Sequence, residues 1–281
     1  MHSHTNFSDG IYTPKKLLEL AKIERLRLFS ITDHDTIDGT ILAERLASDY
    51  PFDYLTGIEL SARLENTKIE ILGYNLDSTS TRLTEKMDFL QEKRKERILK
   101  ILQKLEELNL DITYEDVVMQ IGSGVSPGRP HLARAMIEKK LVNDINEAFE
   151  KYIGNGKPAY IRRETIVPKE AIELIRSGNG VAVLPHPLLV EGDNLHKLEE
   201  YLDLLVSWNL EGVEVYYDYD HIKSFLSKKK IRVGTKFLYD YSKKNDLLIT
   251  CGSDFHGDSG RLGSVKIPDE EIKNILTYFN L

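Results

Sequence analysis

The sequence predicts an α/β fold, a (β/α) barrel of seven strands with a helical subdomain inserted between its fourth and fifth strands. Three observations predict it. Short apolar runs alternate with stretches of helical period, the order that gives parallel pairing. One long charged stretch, residues 81–110, interrupts that alternation. Histidines and carboxylates fall where the apolar runs end, the end at which parallel barrels gather their chemistry.

The first strand is expected at the N-terminus, in "HSHTNFSDG" (2–10). "YTPKKLLELAKIERL" (12–26) has helical spacing, with Thr13 as N-cap and Pro14 at the first helical position. It leads into "LFSIT" (28–32), a buried strand. A short helix near 38–48 precedes a third strand in "FDYLTGIEL" (52–60), and "KIEILGYNL" (68–76) reads as a fourth. "GVAVLPHP" (180–187), "EGVEVYY" (211–217) and "LLITCGSDFH" (247–256) complete the seven, each preceded by a helical segment. Between them, 81–110 is one long amphipathic helix, followed by short helices near 114–120, 130–140 and 144–152. The barrel is therefore expected in 1–80 and 166–281, and the inserted helical lid in 81–165. Residues 122–124, in "QIGSGVSPG", lack the lysine of a phosphate loop and read as a flexible connection.

Composition bounds the function. With 38 basic and 45 acidic residues in 281, the formal charge is −7, which argues against broad non-specific binding to nucleic acid or to a membrane surface. One cysteine, Cys251, excludes a disulfide framework and a cysteine-based zinc site, and is placed in the core. No apolar run approaches the roughly 18 residues of a membrane span, and the polar first turn is unlike a signal peptide. A cytoplasmic protein without an obligate protein partner is expected.

The metal-capable residues keep one phase. His2 and His4 alternate onto the same face of an extended segment, with Asp9 in the loop after it. Asp33, His34 and Asp35 end the second strand, Glu59 closes the third, and Glu70 lies in the fourth. His186 closes the fifth, while Asp254 and His256 follow the seventh. Five of the eight histidines thus sit at expected strand ends. The nine candidate ligands, His2, His4, Asp9, His34, Glu59, Glu70, His186, Asp254 and His256, are too many for one ion, since a single catalytic zinc takes about three protein ligands. They suit two or three ions, whose combined charge favours hydrolysis of phosphate esters.

In this order "HSHTNFSDG", "ITDHDT", "GIELSA", "LPHP" and "GSDFHG" resemble the polymerase and histidinol phosphatase (PHP) superfamily, over residues 2–257. The insertion and "GRPHLARAM" (128–136) resemble its nucleoside 3′,5′-bisphosphate phosphatase and 5′-to-3′ ribonuclease branch. The resemblance implies a distorted seven-stranded TIM-like barrel and a trinuclear centre with a bridging hydroxide. His2, His4, Glu59 and Asp254 would hold one ion, and Asp9, His34 and His256 a second. Glu59, His186 and Glu70 would hold the third. Relatives commonly carry histidine at the position of Glu70, and glutamate is the harder, more charged ligand. Manganese is the expected metal, with iron, zinc or magnesium as alternatives.

Arg94 and Arg97 share a face of the long helix, and Arg129 and His131 lie in "GRPHLAR". By residue type, Arg94 and Arg97 read as part of a solvated face, with Lys95 and Lys100. The resemblance instead makes Arg94, Arg97 and Arg129 grip a second, non-reacting phosphate, with His131 beside them. Asp33 and Asp35 are expected to orient His34. Glu214 is either a support behind the ligands or the polar member of an alternating strand, and His196 and His221 are placed on the surface. The expected activity is a metal-dependent phosphoesterase acting on small nucleotides, nucleoside 3′,5′-bisphosphates or the 5′ ends of short oligoribonucleotides. Histidinol-phosphate phosphatase, amidohydrolase and non-catalytic metal-binding module are the alternatives.

Overall fold

A computed structural model describes residues 1–121, 127–191, 194–219, 226–258 and 260–281. The expectations for residues 122–124 and for His221 fall outside these.

Six strands form one sheet in sequential order: β1 (Leu28–Ile31), β2 (Asp53–Leu64), β3 (Thr67–Tyr74), β4 (Val181–Leu184), β5 (Gly212–Tyr217) and β6 (Leu248–Gly252). α1 (Pro14–Ile23) precedes β1, and α2 (Asp38–Ala47) joins β1 to β2. As expected, Pro14 opens α1 and Thr13 caps it, its side chain accepting from Lys16 N–H. Alternate strand residues enter different apolar clusters, as the pleat requires. Ile69 and Ile71 pack with Ile172 and Ile175, whereas Leu72, Tyr74, Val181 and Val183 pack with Leu55 and Leu248.

Two expectations about the sheet are corrected. β3 runs antiparallel to both β2 and β4, so the pairing is not parallel throughout. The cause is local: β2 continues past Glu59 to Leu64 and reverses through Glu65 and Asn66, with Glu65 at φ 51°. So short a loop joins only antiparallel strands. Glu59 accordingly lies within β2 rather than closing it.

The N-terminal segment, expected as the first of seven strands, contributes a single bridge, Ser3 to Phe255. The chain leaves the extended path at once, because Ser8 and Gly10 both donate backbone N–H to Thr5 O. Even so, this segment bridges the two edges of the sheet. Thr32 N–H donates to Ser3 O on the β1 side, and His4 N–H donates to Phe255 O beyond β6.

The helical region comprises α3 (Thr81–Glu107), α4 (Tyr114–Val118), α5 (Arg129–Glu138) and α6 (Ile145–Ala148), the last continued by a π-helical turn, Phe149–Ile153. α3 belongs to two cores. Leu83, Met87 and Leu90 pack with the sheet and its helices. Ile98, Ile101, Leu102 and Leu105 build a separate cluster with Leu132, Met136 and Ile153. α7 (Pro168–Ser177), α8 (Leu188–Glu191), α9 (Leu195–Ser207), α10 (Lys228–Lys244) and α11 (Asp269–Tyr278) complete the chain. Among the described residues no helix is long and apolar enough to cross a membrane. Lys95 and Lys100 are exposed, as expected, and so is His196. Cys251 is half-buried beside an apolar cavity of about 260 Å³ lined by Met1, Leu28 and Ile275.

Asp33 holds the N-terminal segment in place. Its fully buried carboxylate accepts from Thr5 N–H (2.7 Å), Thr5 Oγ1 (2.6 Å) and Ser8 Oγ (2.6 Å). Asp33→Ala strands three buried donors, and the expected loss is about 2–4 kcal/mol in denaturant unfolding. Asp33→Asn, which keeps one acceptor oxygen, should lose less. Midpoints of both variants equal to wild type would show that the segment is held otherwise.

Candidate metal centre

The structure brings all nine expected ligands to one place. Glu59, 1 % exposed, is the hub. Its Oε2 lies 3.3 Å from His2 Nε2, 3.3 Å from His4 Nε2 and 3.1 Å from His34 Nδ1. Its Oε1 meets His186 Nε2 at 3.1 Å. Asp254 Oδ1 lies 3.3 Å from His2 Nε2 and 2.9 Å from His4 Nε2. Asp9 faces His256 at 3.2 Å and His34 at 3.7 Å.

Three sets of donor atoms converge closely enough to hold a cation: His2, His4, Glu59 and Asp254; His4, Asp9, His34 and His256; and His34, Glu59 and Glu70. The first matches the expected grouping, and the second adds His4 to it. His186 stands outside all three.

The fit to cations rests on unmet demand. Among the described residues, both ring nitrogens of His4, Nδ1 of His34 and of His186, Asp9 Oδ1 and Asp254 Oδ1 are buried without a hydrogen-bond partner. His4 Nε2 lies 2.9 Å from Asp254 Oδ1 without making a hydrogen bond to it. Burying so many unmet polar atoms is costly unless something else satisfies them. Neutral imidazoles and carboxylates are the donors that divalent transition metals take.

Charge at the cluster is shared between the two residue types. Burial opposes the charged form of His2, but Asp254, Glu214 and Glu59 outweigh it and raise its pKa to about 10. His4 is raised likewise, against burial, by Asp254 and Glu59. Burial pushes the carboxyls of Asp9, Glu59 and Asp254 upward, yet the surrounding imidazoles hold all three well below the usual carboxylate range. Without another cation, protons on the histidines balance the carboxylates.

The supports differ from expectation. Asp33 and Asp35 do not orient the His34 ring. Asp33 holds the N-terminal segment, while Asp35 accepts from Ser61 N–H (2.8 Å) and pairs with Arg163. Both carboxylates have nearer donors than an imidazole. Glu214 is the support behind the ligands. It lies 3.2 Å from His2 Nδ1 and accepts from His186 N–H at 2.8 Å. With its proton on Nδ1, His2 turns the Nε2 lone pair toward Glu59 and Asp254. A Cβ at Gly252 would meet His2 Cβ at 2.2 Å and Glu214 Oε1 at 2.3 Å, so glycine there admits both. Tyr217 donates to Asp254 Oδ2 at 3.1 Å. Asp35, His186 and Asp254 adopt left-handed φ of 53°, 32° and 49°, strain that the packed surroundings must hold.

A cationic wall adjoins the cluster. Arg94 is 8 % exposed, and its guanidinium lies over Gly128, where a Cβ would come within 2.7 Å of Nη2. Burial and Arg163 lower its pKa to about 10, opposed by Asp35, Asp9 and Asp33. Burial, Arg129 and Arg163 lower that of Arg97 to about 9. Arg97 and Arg129 donate to backbone carbonyls, Ile161 O and Ile153 O. Among the described residues neither they nor Arg94 is paired with a carboxylate. His131 Nδ1 accepts from Gly128 N–H at 3.0 Å, and burial with Arg94 and Arg134 lowers its pKa to about 4, so the ring is neutral. Arg163, in "YIRRET" (160–165), went unread in the sequence because two adjacent arginines in a polar connection look solvated.

Comparison with known proteins agrees with this geometry. The PHP domain model matches residues 1–158. A 5′-3′ exoribonuclease of Haemophilus influenzae is 30 % identical, covering 92 % of this chain and 90 % of its own. A 3′,5′-nucleoside bisphosphate phosphatase of Chromobacterium violaceum is 25 % identical, covering 93 % and 88 %. A solved structure from Bifidobacterium adolescentis, described as a metal-dependent phosphoesterase, superposes with a TM-score of 0.82 at 27 % identity, over 98 % of this chain and 94 % of that one. The converging donors, the curled sheet and these likenesses lead to one conclusion: the chain belongs to the PHP domain family and is a metal-dependent phosphoesterase of that type.

Proposed function

We propose that the substrate is a nucleotide carrying at least two phosphates, either a nucleoside 3′,5′-bisphosphate or the 5′ end of a short oligoribonucleotide. The observation that carries this reading is the guanidinium wall beside the donor cluster. In a chain of net charge −7, Arg94, Arg97 and Arg129 crowd one another and Arg163 without a carboxylate for each. Their mutual repulsion is offset when a polyanion binds. A substrate with one phosphate, such as histidinol phosphate, would leave most of these forks unmatched. The names of the Haemophilus influenzae and Chromobacterium violaceum relatives, one an exoribonuclease and one a bisphosphate phosphatase, support the same class.

In this reading His2, His4, Glu59 and Asp254 hold one divalent cation, and Asp9, His34 and His256 hold a second. Cations bound there supply Lewis acidity, acidifying water and neutralising charge on the phosphoryl oxygens. The chain's own residues do the rest. Glu214 and Tyr217 fix the directions of His2 and Asp254. Arg97 and Arg129, anchored on Ile161 O and Ile153 O, present their remaining N–H groups to the non-reacting phosphate. His131, through its bond from Gly128 N–H, holds the turn that carries Arg129. Residues 81–165 act as the lid that brings these arginines over the centre.

Removal of metal tests the first half of the reading. A cation held at about a hundred times its dissociation constant adds about 2.7 kcal/mol, so chelation should lower the melting temperature by about 5 °C or more. Added manganese should restore it. A melting temperature indifferent to chelator would count against the centre.

The arginines test the second half. Arg97→Met and Arg129→Met should each lower kcat/KM on a nucleoside 3′,5′-bisphosphate by about 10- to 100-fold, the loss of one charged hydrogen-bonding group. Turnover of a nucleoside monophosphate should fall far less. Equal losses on both substrates would remove these residues from the recognition of a second phosphate.

A further inference from the structure

The donor set around Glu70 is unlike the other two. Of its three members, His34 belongs also to the set with Asp9, and Glu59 to the set with Asp254. Glu70 is its only private ligand. His186, the imidazole expected to complete this position, is not a member of that set, although its Nε2 lies 3.1 Å from Glu59 Oε1.

Glu70 is also engaged by another cation. Lys68, Glu70 and Leu72 share one face of β3 by strand alternation, so the Lys68 ammonium can fold back along that face. Lys68 Nζ lies 2.8 Å from Glu70 Oε1, the oxygen that faces His34 Nδ1 at 3.6 Å. Glu70 Oε2 lies 3.6 Å from His186 Nε2. The lysine side chain is 62 % exposed, whereas the carboxylate it pairs with is 8 % exposed. Burial disfavours that charge, Glu70 and Glu59 attract it, and Arg163 repels it. Beyond Glu70, the hub carboxylate and Arg163 thus also act on the ammonium.

We infer that Lys68 stands in place of a third metal ion, so that the centre takes two divalent cations per chain and the Lys68–Glu70 pair fills the third position. The balance of charge favours this. A neutral imidazole with a divalent ion would bring two positive charges to the position, whereas glutamate with lysine brings none. Arg163, held by Asp35 and within electrostatic range of Lys68, restores part of that deficit on the substrate side. A compact ammonium is a suitable substitute because it is a point charge with three donors and no demand for a set coordination geometry.

The inference rests on the reading that the two complete sets hold metal ions, and counting metal separates the two ideas. After saturation with manganese and desalting, elemental analysis should find two ions per wild-type chain. The double variant Lys68→Ala/Glu70→His, which removes the ammonium and supplies an imidazole, should retain three. A wild-type chain holding three ions overturns the inference, and so does a folded double variant still holding two. A wild-type chain holding none overturns the metal centre beneath it. If the double variant fails to fold, the wild-type count still decides. A second readout is Lys68→Met, expected to lower kcat about tenfold at unchanged KM and to be partly rescued by Lys68→Arg. Unchanged kcat in Lys68→Met would overturn the role of the ammonium.

Discussion

The buried carboxylate of Glu59 is the constraint on which the rest of the centre depends. It sits within a strand, 1 % exposed, and is approached by imidazoles from the N-terminal segment, the loop after β1 and the loop after β4. A carboxylate so placed is tolerable only among opposite charges or bound cations. The need to hold it explains why so many histidines converge there. It also explains the supports behind them: Glu214 fixes His2, Asp33 fixes the segment bearing His4, and Asp35 ties the His34 turn to β2 and to Arg163.

Much of this was legible because each signal was local. Thr13 and Pro14 mark a helix start in any context, and the apolar runs ending in "PHP" and "SDFH" have no simpler reading than strands with polar rims. The ligands were legible jointly, since nine metal-capable residues keeping one phase is a pattern that a single histidine cannot make.

What could not be read was decided by tertiary geometry. "LENT" (64–67) carries a weak turn signal, Glu-Asn rather than Asn-Gly, so the reversal that makes β3 antiparallel was hidden inside an apparently regular alternation. Arg94 looks solvated among Glu92, Lys95 and Glu96, and is buried only because Gly128 lets its guanidinium lie against the backbone. Asp33 and Asp35 flank His34 in the chain, yet each turns to a donor far along the sequence. Neighbouring positions were taken for partnership, and the strained φ at Asp35 points its carboxylate elsewhere.

The meagre pairing of the N-terminal segment has a wider consequence. Ser3 makes a lone bridge, so few backbone bonds join this segment to the sheet, while its two histidines touch carboxylates carried by β2 and by the loop after β6. The two edges of the sheet are thus joined through this segment by side chains more than by backbone. Occupancy of the centre and the joining of those edges then become a single equilibrium, in which whatever satisfies His2 and His4 also acts as a clasp on the whole sheet.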